Sequence, residues 1–192
     1  AGSDPAYRRA LWIVILLNAG FGVCELLGGF IADSQALKAD SLDFIGDGSI
    51  TLVGLLALTW SEQARARVAL TQGIFLVALG VGVISFAVWR AVDGVPPEAD
   101  LMGGIGVIAL VVLVPAALVL SRFREGAANV RAIWLFSRND ALANVAVIIA
   151  AGFVAWTGSA WPDLIVAGVI ALLFLHSSLE IIRDARRDLG RE

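Results

Sequence analysis

Leu37-Lys38-Ala39-Asp40-Ser41-Leu42-Asp43-Phe44-Ile45-Gly46-Asp47 sets three acids into an otherwise largely apolar stretch, and the continuation to Trp60 carries no charge. Asp43 and Asp47 are four apart, so on a helix they share one face. Asp140 stands inside a second long apolar run. An ionised Asp at bilayer depth costs roughly 3 kcal/mol on insertion scales, so it is rarely kept without a partner or a purpose. Two acids on one helical face, met by a third from another helix, suit a divalent cation or a proton. The stretch therefore reads as part of a membrane protein that moves ions.

Composition agrees. Of 192 residues, 59% are hydrophobic and only 16% charged, with a mean hydropathy of +0.86. A soluble domain has nearer a quarter of its residues charged. The single Cys24 excludes an intrachain disulfide framework and zinc-finger spacing. No basic stripe suggests nucleic acid, and no nucleophile–base pair or cofactor fingerprint suggests an enzyme. Residues 1–7 are read as a tail, whose opening Ala1-Gly2-Ser3-Asp4-Pro5 is set aside as a processing or cloning scar.

A helix needs about 20 mainly apolar residues to cross the hydrocarbon core. Six segments meet that requirement, at 8–32, 37–60, 69–93, 101–121, 131–156 and 163–185, separated by short polar breaks. The expected fold is all-α: a six-transmembrane-helix bundle over 8–186, with a short charged tail at 187–192. Arg8, Arg9, Arg65, Arg67, Arg122, Arg124, Arg131, Arg183, Arg186, Arg187 and Arg191 fall on one side of that bundle. Lys38 and Arg90 fall on the other, beside Asp33, Asp93, Glu98, Asp100 and Asp163. The positive-inside rule then places both termini in the cytoplasm. At 1.5 Å per residue, Asp47 lies near mid-bilayer, Asp43 one turn further out, and Asp140 at a similar depth on span five with Asn144 one turn above it. Trp60, Trp89, Trp156 and Trp161 lie near span ends, where an interfacial aromatic belt belongs.

These residues carry a resemblance. Asn18-x-x-Phe21-x-x-x-Glu25-x-x-Gly28-Gly29, then Ser34-x-x-Leu37-x-x-Asp40-x-x-Asp43-x-x-x-Asp47, with Asp140-Ala-Leu-Ala-Asn144 on span five, resembles the cation diffusion facilitator family of proton-coupled divalent-metal exporters. The resemblance covers nearly all six spans. It implies a tetrahedral site made by Asp43, Asp47, Asp140 and the residue at position 136, where the family usually has His. Position 136 is Phe, which cannot coordinate a metal. Three options follow: water completes the shell, Asn144 or Asn139 supplies an amide oxygen, or the site does not transport. Replacing an imidazole by oxygen donors also lowers the preference for zinc relative to harder ions such as manganese. Many members continue after span six into a cytoplasmic metal-binding domain that helps dimerisation; this sequence stops at Glu192, either because the protein lacks that domain or because it was trimmed away, and a dimer without it would rest on membrane helices.

The remaining candidates have plainer readings beside the functional one. Asp40 reads as a cap or dipole partner at the start of span two, with an intake role as the alternative. Glu25 is either a proton-coupling carboxylate or a buried hydrogen-bonding group. Cys24 reads as a small buried thiol. His176, the lone His, either carries protons or bonds across a helix interface. Gly73, Gly80, Gly82, Gly103, Gly104 and Gly106 suit close helix packing.

The expected function is secondary active export of a divalent metal (zinc, cadmium, cobalt, nickel, iron or manganese) from a prokaryotic cytoplasm by metal–proton antiport. Asp43, Asp47, Asp140 and Asn144 are the metal candidates; Glu25, Asp40, Asn139 and His176 are secondary or proton-coupling ones. A channel or uptake carrier for another cation, and a nontransporting membrane subunit, are the rival readings.

Overall fold

Asp33 adopts a left-handed backbone, with φ of 54°, and so turns the chain between its first two helices. Ser34 then caps the second helix, its side chain accepting from the Leu37 amide at 3.1 Å. The computed structural model describes the backbone of residues 5–57, 60–121 and 128–190, and side chains at residue 12 and across 15–53, 55–57, 60–112, 114 and 139–190. The order is α1 (Pro5–Ile31), α2 (Gln35–Leu56), α3 (Glu62–Asp93), α4 (Ala99–Ser121), α5 (Ala128–Thr157) and α6 (Trp161–Leu189). The expected all-α architecture of six helices is present, with no strand among the described residues.

The ends differ from the sequence reading where capping overrides hydropathy. Ser61 accepts from the Ala64 amide at 3.2 Å and starts α3 at Glu62, seven residues before the apolar run at 69. The α3 helix ends at Gly94, left-handed at φ 67°. By length and apolarity, Glu62–Asp93, Asn139–Thr157 and Trp161–Leu189 can each cross a membrane; the described apolar stretches Ile15–Ile31 and Ala99–Val112 are shorter.

The most extensive helix pairs are α1 with α2, α3 with α6, and α4 with α5. In addition α2 touches α3, α5 and α6, so the acid-bearing helix lies at the centre. Small residues let the helices close up. A methyl at Gly80 would sit 2.7 Å from Leu175, and one at Gly106 would sit 2.8 Å from Ile148. Gly82 and Gly104 face open space instead, so close packing does not explain them.

Burial runs opposite to that of a soluble protein. Ile31 and Trp156 are 72% and 81% exposed, while Asp40 and Asn144 are fully buried. The main buried cluster is built largely of Ala32, Ala36, Ala39, Ala150, Ala151, Ala167 and Ala171, with Leu37, Met102 and Val147. An apolar outside around a polar, small-residue interior fits a bilayer as solvent. The chain is an integral membrane protein.

Candidate cation site

Asp43 and Asp47, on one face of α2, are half-buried. Asp140, on α5, is buried and lies within electrostatic reach of Asp47, Asp43 and Asp40. Direct packing of α2 on α5 brings the three candidate ligands to one interior region. Asn144 joins them from one turn along α5. Its Nδ2 donates to the Asp140 carbonyl at 3.1 Å, and its buried Oδ1 has no partner among the described residues. An orphaned buried carbonyl costs about 1–3 kcal/mol, and an arriving cation would satisfy it.

The acids are gathered but not closed into a cage. Among the described residues, no three His, Cys, Asp or Glu side chains converge tightly enough to hold a metal ion as they stand. The side chain of Phe136 lies outside the described residues. Near Asp47 the helix is tied sideways: Gln72 of α3 donates to Ser49 at 2.8 Å, and Ser49 donates to the Gly46 carbonyl at 2.8 Å.

A cleft of about 640 Å³ opens between α5 and α6 and has Asp43 in its wall. Its other polar residues are Asn139, His176 and Ser177, set among Leu142, Ala143, Val166 and Leu173. Three sequence candidates (Asp43, Asn139 and His176) therefore share this cleft. Asp47, Asp140, Asn144, Glu25 and Asp40 lie outside its lining.

Three plain readings need correction. Asp40 does not cap α2: Ser34 does, and Asp40 sits a turn and a half inside the helix, fully buried, facing Glu25 of α1. His176 does not bond across a helix interface; it is exposed and pairs with Glu180 on its own helix at 3.5 Å. Cys24 is exposed rather than buried, because that face of α1 points outward.

The polar work at the start of α2 belongs to a residue the sequence reading passed over as an outer charge. Asp163 of α6 accepts from Ser34 Oγ at 2.6 Å, from the Gln35 amide at 2.8 Å and from the Ala36 amide at 3.0 Å. It thus satisfies helix-end donors of α2 while standing in the first turn of α6. Trp161-Pro162-Asp163 signals a helix start, and nothing in that signal names a second helix. Beside it, Lys38 pairs with Asp33 at 3.4 Å and lies over the rings of Phe30 and Phe86, at 4.7 and 4.8 Å. Asp33 also pairs with Arg90 of α3. These charges neutralise one another at one end of the bundle, joining the α1–α2 turn to α3 and α6.

Comparison with known proteins adds a family. The family model for the cation efflux transmembrane domain matches residues 11–189. The zinc transporter ZitB of Escherichia coli is 31% identical over 200 residues, covering 97% of this chain and 63% of that protein. The cadmium, cobalt and zinc/H(+)-K(+) antiporter of Bacillus subtilis is 26% identical, covering 95% of this chain and 63% of that protein. The metal cation efflux system protein CzcD of Cupriavidus metallidurans is 25% identical, with 94% and 63% covered. The chain thus spans about 63% of the length of these relatives.

Proposed function

The chain belongs to the cation efflux family, a family of transporters rather than enzymes, and from that premise we propose that it exports a divalent metal cation in exchange for protons through Asp43, Asp47 and Asp140. One observation supports this most: acids on two contacting helices share the interior of a body whose outside is apolar. In the proposed cycle the ionised acids capture the cation from the cytoplasmic side, with Asn144 Oδ1 or water completing the shell. A small approach of α5 to α2 would draw the ligands together. Three carboxylates and a divalent cation leave about one negative charge, which a proton can balance. Outward exposure and protonation of the acids then release the metal. The cleft wall formed by Asn139, His176 and Ser177 gives a polar route to Asp43.

The proposal includes the six-span arrangement with both termini cytoplasmic, a prokaryotic inner membrane, and a homodimer joined by membrane helices. Relatives named for zinc, cadmium and cobalt direct attention to those ions. The Phe at position 136 removes an imidazole and argues for also testing nickel, iron and manganese. Reconstitution in liposomes with that panel, under a pH gradient, tests the reading. Flux that disappears in Asp47→Ala supports it; full flux in that variant would sink it.

Phe136 also motivates a second reading, a membrane subunit that keeps the fold without transport. Metal binding without flux, in folded and correctly inserted wild type, would favour that reading.

A further inference from the structure

Glu25 and Asp40 are 1% and 0% exposed, and their carboxyl groups face each other where α1 packs on α2. Among the described residues, none of their four oxygens has any other hydrogen-bond partner. Among the described residues, the charged groups on the helices packed around them supply no free cation. From α2 come Asp43 and Asp47, and from α5 comes Asp140, all acids. Lys38 is held by Asp33 between two phenyl rings, and Arg90 of α3 is also held by Asp33. On α6, Asp163 is bound to the start of α2, and His176 turns to Glu180. Where α4 meets α1 the contact is apolar, through Ile105 against Gly28.

Two carboxylates side by side in a dry interior cannot both be ionised without a compensating cation. With only each other as donor among the described residues, they share at least one proton. We propose that Glu25 and Asp40 form a second proton-carrying element of this transporter, separate from the acids that hold the metal. The inference rests on the export reading above and specifies where one of its protons sits. Asp40 is three residues from Asp43, about one helical turn toward the other end of α2 from Asp47.

That spacing couples the two ions without a shared ligand. When a divalent cation settles at Asp43, Asp47 and Asp140, its charge a turn away stabilises the doubly ionised pair. The carboxyl O–H then breaks, and its proton leaves to cytoplasmic water while both electrons stay on the oxygen. When the metal leaves on the other side, the pair's two negative charges lose their partner and one oxygen takes a proton from that side. The pair thus returns one proton for each metal released, beside any taken up by the metal-site acids.

The experiment uses the full chain in liposomes, with zinc and manganese as probes and a trapped pH indicator. Glu25→Gln and Asp40→Asn should bind metal in detergent within about tenfold of wild type, the effect of one charge removed at a distance. They should still carry metal, but with about one proton fewer in counterflow per metal and with weaker acceleration by a pH gradient. Glu25→Asp, which keeps a carboxyl group, should restore coupling with a displaced pH profile. Unchanged proton counterflow in Glu25→Gln would overturn the proposal. So would a loss of metal affinity beyond tenfold, because the pair would then belong to the metal site. Failure of wild type to move either ion would instead bring down the export reading, and this proposal with it. If both neutral variants fail to fold, the pH profile of Glu25→Asp decides, and an unshifted profile counts against the pair.

Discussion

Asp163 shows how much one carboxylate can decide. It is 1% exposed and accepts three hydrogen bonds, all from the first residues of α2. Without it, Ser34 Oγ and two amides would face a buried space with no acceptor. Asp163→Ala should therefore destabilise the fold by about 3 kcal/mol, the range for losing charge-assisted bonds and orphaning buried donors. Thermal unfolding in detergent would measure it. Asp163→Asn keeps one acceptor oxygen and should cost less; equal losses in the two variants would mean that packing, and not acceptance, is what Asp163 provides. The same residue marks the limit of sequence reading. A helix-start Asp was legible, but its service to a helix 128 residues earlier depends on α6 packing on α2, and no local pattern encodes that. Glu25 and Asp40 were visible as acids in apolar runs for the same reason that Asp47 was. Their mutual contact was not, since it depends on how α1 is rotated against α2. Ser34 was legible as part of a break and became a cap only once the helix start was fixed.

At the scale of helices, hydropathy located all six elements because each must present an apolar outside. It missed the polar first turns of α3, which starts at Glu62 where Ser61 caps, because capping chemistry is independent of lipid contact. The glycines separate in the same way. Gly80 packs against Leu175 and Phe174 of α6, whereas Gly82, half a turn on, meets nothing within 4 Å. Gly80→Leu should force α3 from α6 and cost about 1–3 kcal/mol, as overpacking does. Gly82→Leu should be neutral or slightly stabilising, since Leu is the better helix former. Comparing the two unfolding temperatures isolates packing from propensity. A matched loss at both positions would mean that helix–helix approach is not what Gly80 serves.

For the whole molecule, topology and proton chemistry set the remaining expectations. With Cys24→Ser as background, Gly190→Cys should react with a membrane-impermeant thiol reagent only from the cytoplasmic face, and Asp93→Cys only from the opposite one. Labelling of both from one face would invalidate the six-span arrangement. The proposed transport site would impose a pH dependence whose sign follows from its ligands. Carboxylates coordinate metal only when ionised, so binding displaces protons, and affinity must fall as pH falls. Each displaced proton weakens apparent affinity by about tenfold per pH unit within the titrating range. Calorimetry of zinc binding in buffers of different ionisation enthalpy would count those protons. If Asp43, Asp47 and Asp140 are the only groups that release them, Glu25→Gln should leave the count unchanged. If the Glu25–Asp40 pair supplies one, the count should drop by about one while zinc still binds, because the lost proton came from a group that never touched the metal.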